Sequence, residues 1–140
     1  MYAQLAMTII ALLWSGMILG ISFLESWVKF RARSLTKPVA LDVGRTVFNA
    51  FHKVQYFLLI VLIVLGLIAR IYLQEWVILI LLTIIIALQG FWFFPLLSKR
   101  VDQIFMGDET SKSKIHSLYG VLEIIKLGLL LYFSLSYISV

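Results

Sequence analysis

Residues 54–97 read VQYFLLIVLIVLGLIA, then RIYLQE, then WVILILLTIIIALQGFWFFPLL. These are two long apolar runs, Val54–Ala69 and Trp76–Leu97, joined by six residues with one basic side chain, Arg70. A helix needs roughly 20 apolar residues to cross a hydrocarbon core about 30 Å thick. Two such helices on so short a link are antiparallel neighbours. On either side lie the basic stretches Lys29–Lys53 and Lys99–Lys114, which together hold ten of the chain's twelve Lys and Arg residues. Beyond these come two more apolar runs, so the spans fall at about 5–24, 54–72, 76–97 and 117–138. Connections rich in Lys and Arg stay in the cytoplasm. The first and third connections are therefore expected inside and both termini outside. The expected fold is all-α: an integral membrane four-helix antiparallel bundle, one domain over residues 1–140, in the cytoplasmic (inner) membrane of a bacterium.

Composition points the same way. Of 140 residues 62% are hydrophobic and 14% charged, so four spans leave no room for a separate soluble domain. The net charge of +5 follows from the positive-inside pattern and from attraction to anionic headgroups; no nucleic-acid partner is expected. Without cysteine there is no disulfide, thiolate chemistry or Cys-ligated metal. The first run lacks a basic leader and a small-residue cleavage site, and reads as a retained helix rather than a signal peptide. Thr36-Lys37-Pro38 is a helix-start pattern. The second helix is expected to begin near Pro38 and reach about Tyr72, with Gly44 as an alternative break. Trp14, Trp27, Trp76 and Trp92 read as interfacial anchors. Ser113 reads as the N-cap of the last helix.

Polar side chains on the helix faces mark a candidate site. In the second helix Arg45, Asn49, His52 and Tyr56 fall at i, i+4, i+7 and i+11. In the fourth, His116, Tyr119, Glu123 and Lys126 fall at i, i+3, i+7 and i+10. Both are single stripes. The first helix adds Ser15, Ser22, Glu25 and Lys29, and the third adds Gln89. Polar groups facing hydrocarbon cost several kcal/mol, so they turn inward and pair. Stripes at one depth on several helices predict a shared cluster of Glu25, Arg45, Asn49, His52, His116, Tyr119, Glu123 and Lys126 in the cytoplasmic half. Each residue also has a plainer role. Glu123 and Lys126 can form a pair within one helix, as can Glu25 and Lys29. Arg45 can snorkel to phosphates. Gln89 and Ser15 can serve as hydrogen bonds between helices.

Several chemistries fit these residue types. Arg45 and Lys126 would balance an anionic solute or lipid headgroup. Glu123 would be the carboxylate that titrates, and His52, His116 and Tyr119 would donate hydrogen bonds. His52 and His116 are also a candidate axial pair for a b-type haem. His52, His116, Glu123 and Glu25 offer metal-ligand types without a ligand motif. No phosphate loop, nucleophile elbow or CxxC is present, so an enzyme is not the expectation. A third reading is a structural subunit of a larger membrane complex. Self-association is expected for any transport role, since four helices enclose little space.

Trp14-x-Gly16, Ala40-Leu41-x-x-Gly44-Arg45-x-x-Phe48 and His116-x-x-Tyr119 followed by Glu123 give most of the chain a family likeness. It resembles a bacterial group of small four-span membrane proteins classed as a domain of unknown function, related to small eukaryotic transmembrane proteins. The resemblance implies a four-span fold and no particular activity. Lys29–Arg33 and Lys126 depart from that pattern.

Overall fold

The computed structural model describes residues 1–107 and 115–139, without the side chains of Ile115 and His116. Ser113 lies outside the described residues. All regular structure among the described residues is helical. Four continuous helices make a bundle: α1 Tyr2–Arg31, α2 Lys37–Ala69, α3 Leu73–Phe105 and α4 Ile115–Ile138. Each is long and apolar enough to cross a membrane. α1 packs against both α2 and α4, and α3 against α2 and α4. Large apolar side chains such as Phe57, Leu67, Ile80 and Phe91 remain exposed on the outside. That is the surface a bilayer covers.

α2 starts with Thr36 as N-cap and Pro38 in its first turn, where the missing N–H of proline costs nothing. Gly44 does not break it. At its far end Arg70 adopts the left-handed conformation at φ 52° and its N–H bonds back to the Gly66 carbonyl. Gly66 leaves room for Ile71, whose Cδ1 lies 3.0 Å from where a Cβ would stand. This tight cap turns the chain directly into α3. With 33 residues each, at ~1.5 Å per residue, α2 and α3 reach about 50 Å. That exceeds a hydrocarbon core of about 30 Å. Their surplus turns stand at the end of the bundle where the basic residues gather.

Two helices are locally widened. α1 turns into π geometry over Ile18–Glu25, where the Ser26 hydroxyl donates to the Ile21 carbonyl five residues back at 3.2 Å. α3 does so over Gln89–Phe93, just ahead of Pro95. Proline has no N–H to donate and its ring crowds the carbonyl four residues back. A wide turn accommodates that conflict, so α3 passes through Pro95 and continues to Phe105. Wide turns of this kind often occur at functional sites. Both flank the polar interior of the bundle.

The apolar core lies further from the basic end: Met7, Ala11, Trp14, Leu59, Leu62, Leu79, Leu82, Leu130 and Phe133 are buried together. Trp14 is not an interfacial anchor. It is fully buried, and its indole N–H donates to Gln55 Oε1 at 3.0 Å. Position 14 is too deep in α1 to reach the interface, so its one polar atom takes a partner inside.

Candidate functional site

Two polar regions occupy the interior. The deeper one centres on Glu123 and Lys126 of α4, 1% and 0% exposed. Lys126 Nζ donates to Glu123 Oε1 at 2.6 Å and to Gln89 Oε1 at 2.8 Å. Gln89 Nε2 returns to Glu123 Oε1 at 2.7 Å. The Ser22 hydroxyl donates to Glu123 Oε2 at 2.6 Å. Both carboxylate oxygens thus have partners, and α1, α3 and α4 are tied at one point. Ser22 and Gln89 come from the two π segments. A buried charge pair repays its desolvation only with good geometry and satisfied surroundings. This one has both.

Beside the pair, His52 is buried close to the Ile86 carbonyl, and among the described residues neither ring nitrogen makes a well-aligned hydrogen bond. Its ring meets that of Tyr56 edge-on, centroids 4.7 Å apart. A Cβ on Gly90 would collide with His52 Nε2 and stand 2.6 Å from the Tyr56 hydroxyl. Only glycine lets α3 approach α2 so closely here. A haem iron would need that Nε2 face open, and Gly90 occupies it. The side chain of the other expected axial ligand, His116, lies outside the described residues. Among the described residues no group of three or more His, Cys, Asp or Glu side chains is placed to hold a metal ion.

The second region lies at the basic end, where α1, α2, α3 and α4 surround a cavity of about 330 Å³. Lys29, Lys37, Arg45 and Arg100 stand on its walls, with Tyr119. Arg45 is largely committed. Its Nε and Nη2 donate to Asp42 Oδ1 at 3.2 and 2.5 Å, and its Nη1 to Asp102 Oδ1 at 2.6 Å and to Ser98. It clips α2 to α3. Lys29 is held less tightly. Its side chain is 10% exposed, its ammonium packs against Gly44, and its ion pair with Glu25 spans 3.7 Å. Glu25 Oε2 accepts no hydrogen bond. Lys37 has no ion-pair partner among the described residues. It opens α2, whose N-cap Thr36 makes no side-chain bond to the helix amides. Tyr119 is 4% exposed, stacks edge-on against Phe48 at 5.5 Å, and has a buried hydroxyl without a partner among the described residues.

The stripe residues expected to form one cluster are thus distributed over both regions. Glu123 and Lys126 are joined deep in the bundle with His52 beside them. Glu25, Arg45 and Tyr119 belong to the cavity end. Tyr119 is one helical turn from Glu123 and connects the two. Asn49 is exposed, because the buried face of α2 runs through His52, Gln55, Leu59 and Leu62 and leaves position 49 outside it. Ser15 donates to the Ala11 carbonyl of its own helix at 2.8 Å rather than across helices. Gln55 was legible as His52 plus three. No protein-family model, curated protein or solved structure matches the chain.

Proposed function

We propose that this chain is an antiparallel four-span protein of a bacterial cytoplasmic membrane, with both termini outside. It binds, or helps move, an anionic solute or lipid headgroup entering from the cytoplasmic side. The supporting observation is the cavity at the basic end. Several cations surround it, and a nine-tenths buried tyrosine offers it a hydroxyl with no partner among the described residues. An unsatisfied buried hydroxyl is unfavourable by ~1–3 kcal/mol, which a bound acceptor repays. Lys29 and Lys37 supply the charge, the uncapped start of α2 adds amide donors, and Tyr119 donates the neutral hydrogen bond. Arg45 holds the walls together. Glu123, one turn deeper, is held by Lys126, Gln89 and Ser22. Self-association or a larger membrane complex would complete any pathway.

Thermal stabilisation of the protein in phosphatidylcholine nanodiscs, titrated with phosphate and simple carboxylates, tests binding. The expected result is a saturable rise that Lys29→Ala with Lys37→Gln removes. Equal melting at all concentrations, with anionic lipids equally inert, sinks the reading. Topology is tested separately, because the chain has no native cysteine. In intact cells Gln74→Cys should react with an impermeant maleimide and Ser34→Cys should not.

A further inference from the structure

We infer that the cavity takes a lipid phosphate, an anionic head carrying an alkyl chain, in preference to a free anion. This deepens the proposed function and rests on it. The cations occupy only part of the wall. Leu41, Phe48, Phe94, Leu97, Val101 and Ile104 line the remainder. A bare anion binds through charge and hydrogen bonds and gains nothing from six apolar side chains. At about 330 Å³ the cavity lies at the small end of pockets that enclose organic ligands. It has room for a head and the first carbons of a chain.

Its position agrees. The exposed aromatics Trp27, Phe91 and Trp92 sit in α1 and α3 next to segments that line the cavity. The Arg31 guanidinium lies 3.7 Å above the Trp27 ring. Tryptophan paired with a cation marks the headgroup level of a bilayer. A cavity at that depth, cationic on one side and apolar on the other, matches an amphiphile lying across the same boundary. Asp42 and Asp102 take up the charge of Arg45, but Lys37 has no ion-pair partner among the described residues and Lys29 stands 3.7 Å from Glu25. That leaves charge on this wall for an anionic head, as a phosphate monoester has.

The test is a chain-length series of inorganic, ethyl, butyl and hexyl phosphate. Each is titrated below its micelle concentration against the whole protein in phosphatidylcholine nanodiscs, with empty nanodiscs subtracted. Each buried methylene is worth ~0.8 kcal/mol, so affinity should rise about fourfold per methylene until the cavity is full. Leu97→Trp, which fills the apolar side, should flatten the series while inorganic phosphate still binds. Val101→Phe serves the same purpose if the first variant does not fold. Lys37→Gln should weaken every member by a similar factor and keep the slope. Inorganic phosphate binding as tightly as hexyl phosphate overturns the lipid assignment and leaves anion binding standing. A slope unchanged in both filled variants also overturns it, because the gain is then partition into the bilayer. No binding by any member removes both this inference and the proposed function.

Discussion

The interior polar regions differ in one respect that separates structure from function: how completely their atoms are paired. Around Glu123 and Lys126 each carboxylate oxygen, the ammonium and both ends of the Gln89 amide have partners at 2.6 to 2.8 Å. At the cavity end, Tyr119 Oη and Glu25 Oε2 have no hydrogen-bond partner among the described residues and Lys29 keeps its carboxylate at 3.7 Å. A set of groups that is fully satisfied, as the pair is apart from the His52 ring beside it, has nothing left to offer a ligand except by breaking. One with orphaned groups is unfavourable as it stands and gains from being filled. The same residue types, Lys, Glu and a neutral donor, thus act as a lock in one place and, on the function proposed above, as a receptor in the other.

Breaking the lock should give the largest effect. Lys126→Met leaves Glu123 buried and uncompensated, and losing one partner of a buried pair costs ~3–5 kcal/mol. Chemical denaturation in detergent micelles should show it. Replacing both residues, Glu123→Leu with Lys126→Met, should recover most of the loss. If the double variant is as unstable as the single, the pair is not the unit described here. Gly90→Ala comes next. Its Cβ would meet a histidine ring pinned between helices, and overpacking of this kind costs ~1–3 kcal/mol. His52→Ala should rescue it in the same assay. At Gly44, by contrast, the added carbon meets only the end of the Lys29 chain. Gly44→Ala should therefore leave stability nearly unchanged.

The sequence carried the bundle further than it carried the site. Runs of 16 or more apolar residues, the Thr36–Pro38 start and the short link after Ala69 place the helices, because span length and turn chemistry are local; α3 starts at Leu73 rather than at Trp76. The α4 stripe was also legible: Tyr119, Glu123 and Lys126 are all buried, as regular α spacing requires. The stripe on α2 was only half right. It ran along the edge of the buried face, so it included exposed Asn49 and missed Gln55. The π segments were hidden for a different reason. The one in α3 follows from Pro95 set inside a continuing helix, while Ser22 in that of α1 meets its partner on α4, and the period of apolar residues does not register one extra residue in a turn. Trp14 looked interfacial by residue type, and only its depth along α1 decided otherwise.

The sharpest comparison uses two hydroxyls. Ser22→Ala removes the donor to Glu123 Oε2, and an orphaned charged acceptor costs ~1–3 kcal/mol. Because Ser22 is itself only partly buried, the lower half of that range is expected, read as a fall in denaturation midpoint. Tyr119→Phe removes a hydroxyl that has no partner. Taking an unpaired buried polar atom out of an apolar setting is neutral or favourable, so the empty protein should melt at the same temperature or slightly higher. Phosphate binding by that variant should nevertheless weaken, by up to about tenfold, the equivalent of ~1.4 kcal/mol. Opposite signs for stability and affinity are what a vacant donor produces. If Tyr119→Phe instead destabilises the empty protein as Ser22→Ala does, the hydroxyl is already occupied inside the bundle. The cavity then loses its neutral donor, and Lys29 and Lys37 would have to hold an anion by charge alone.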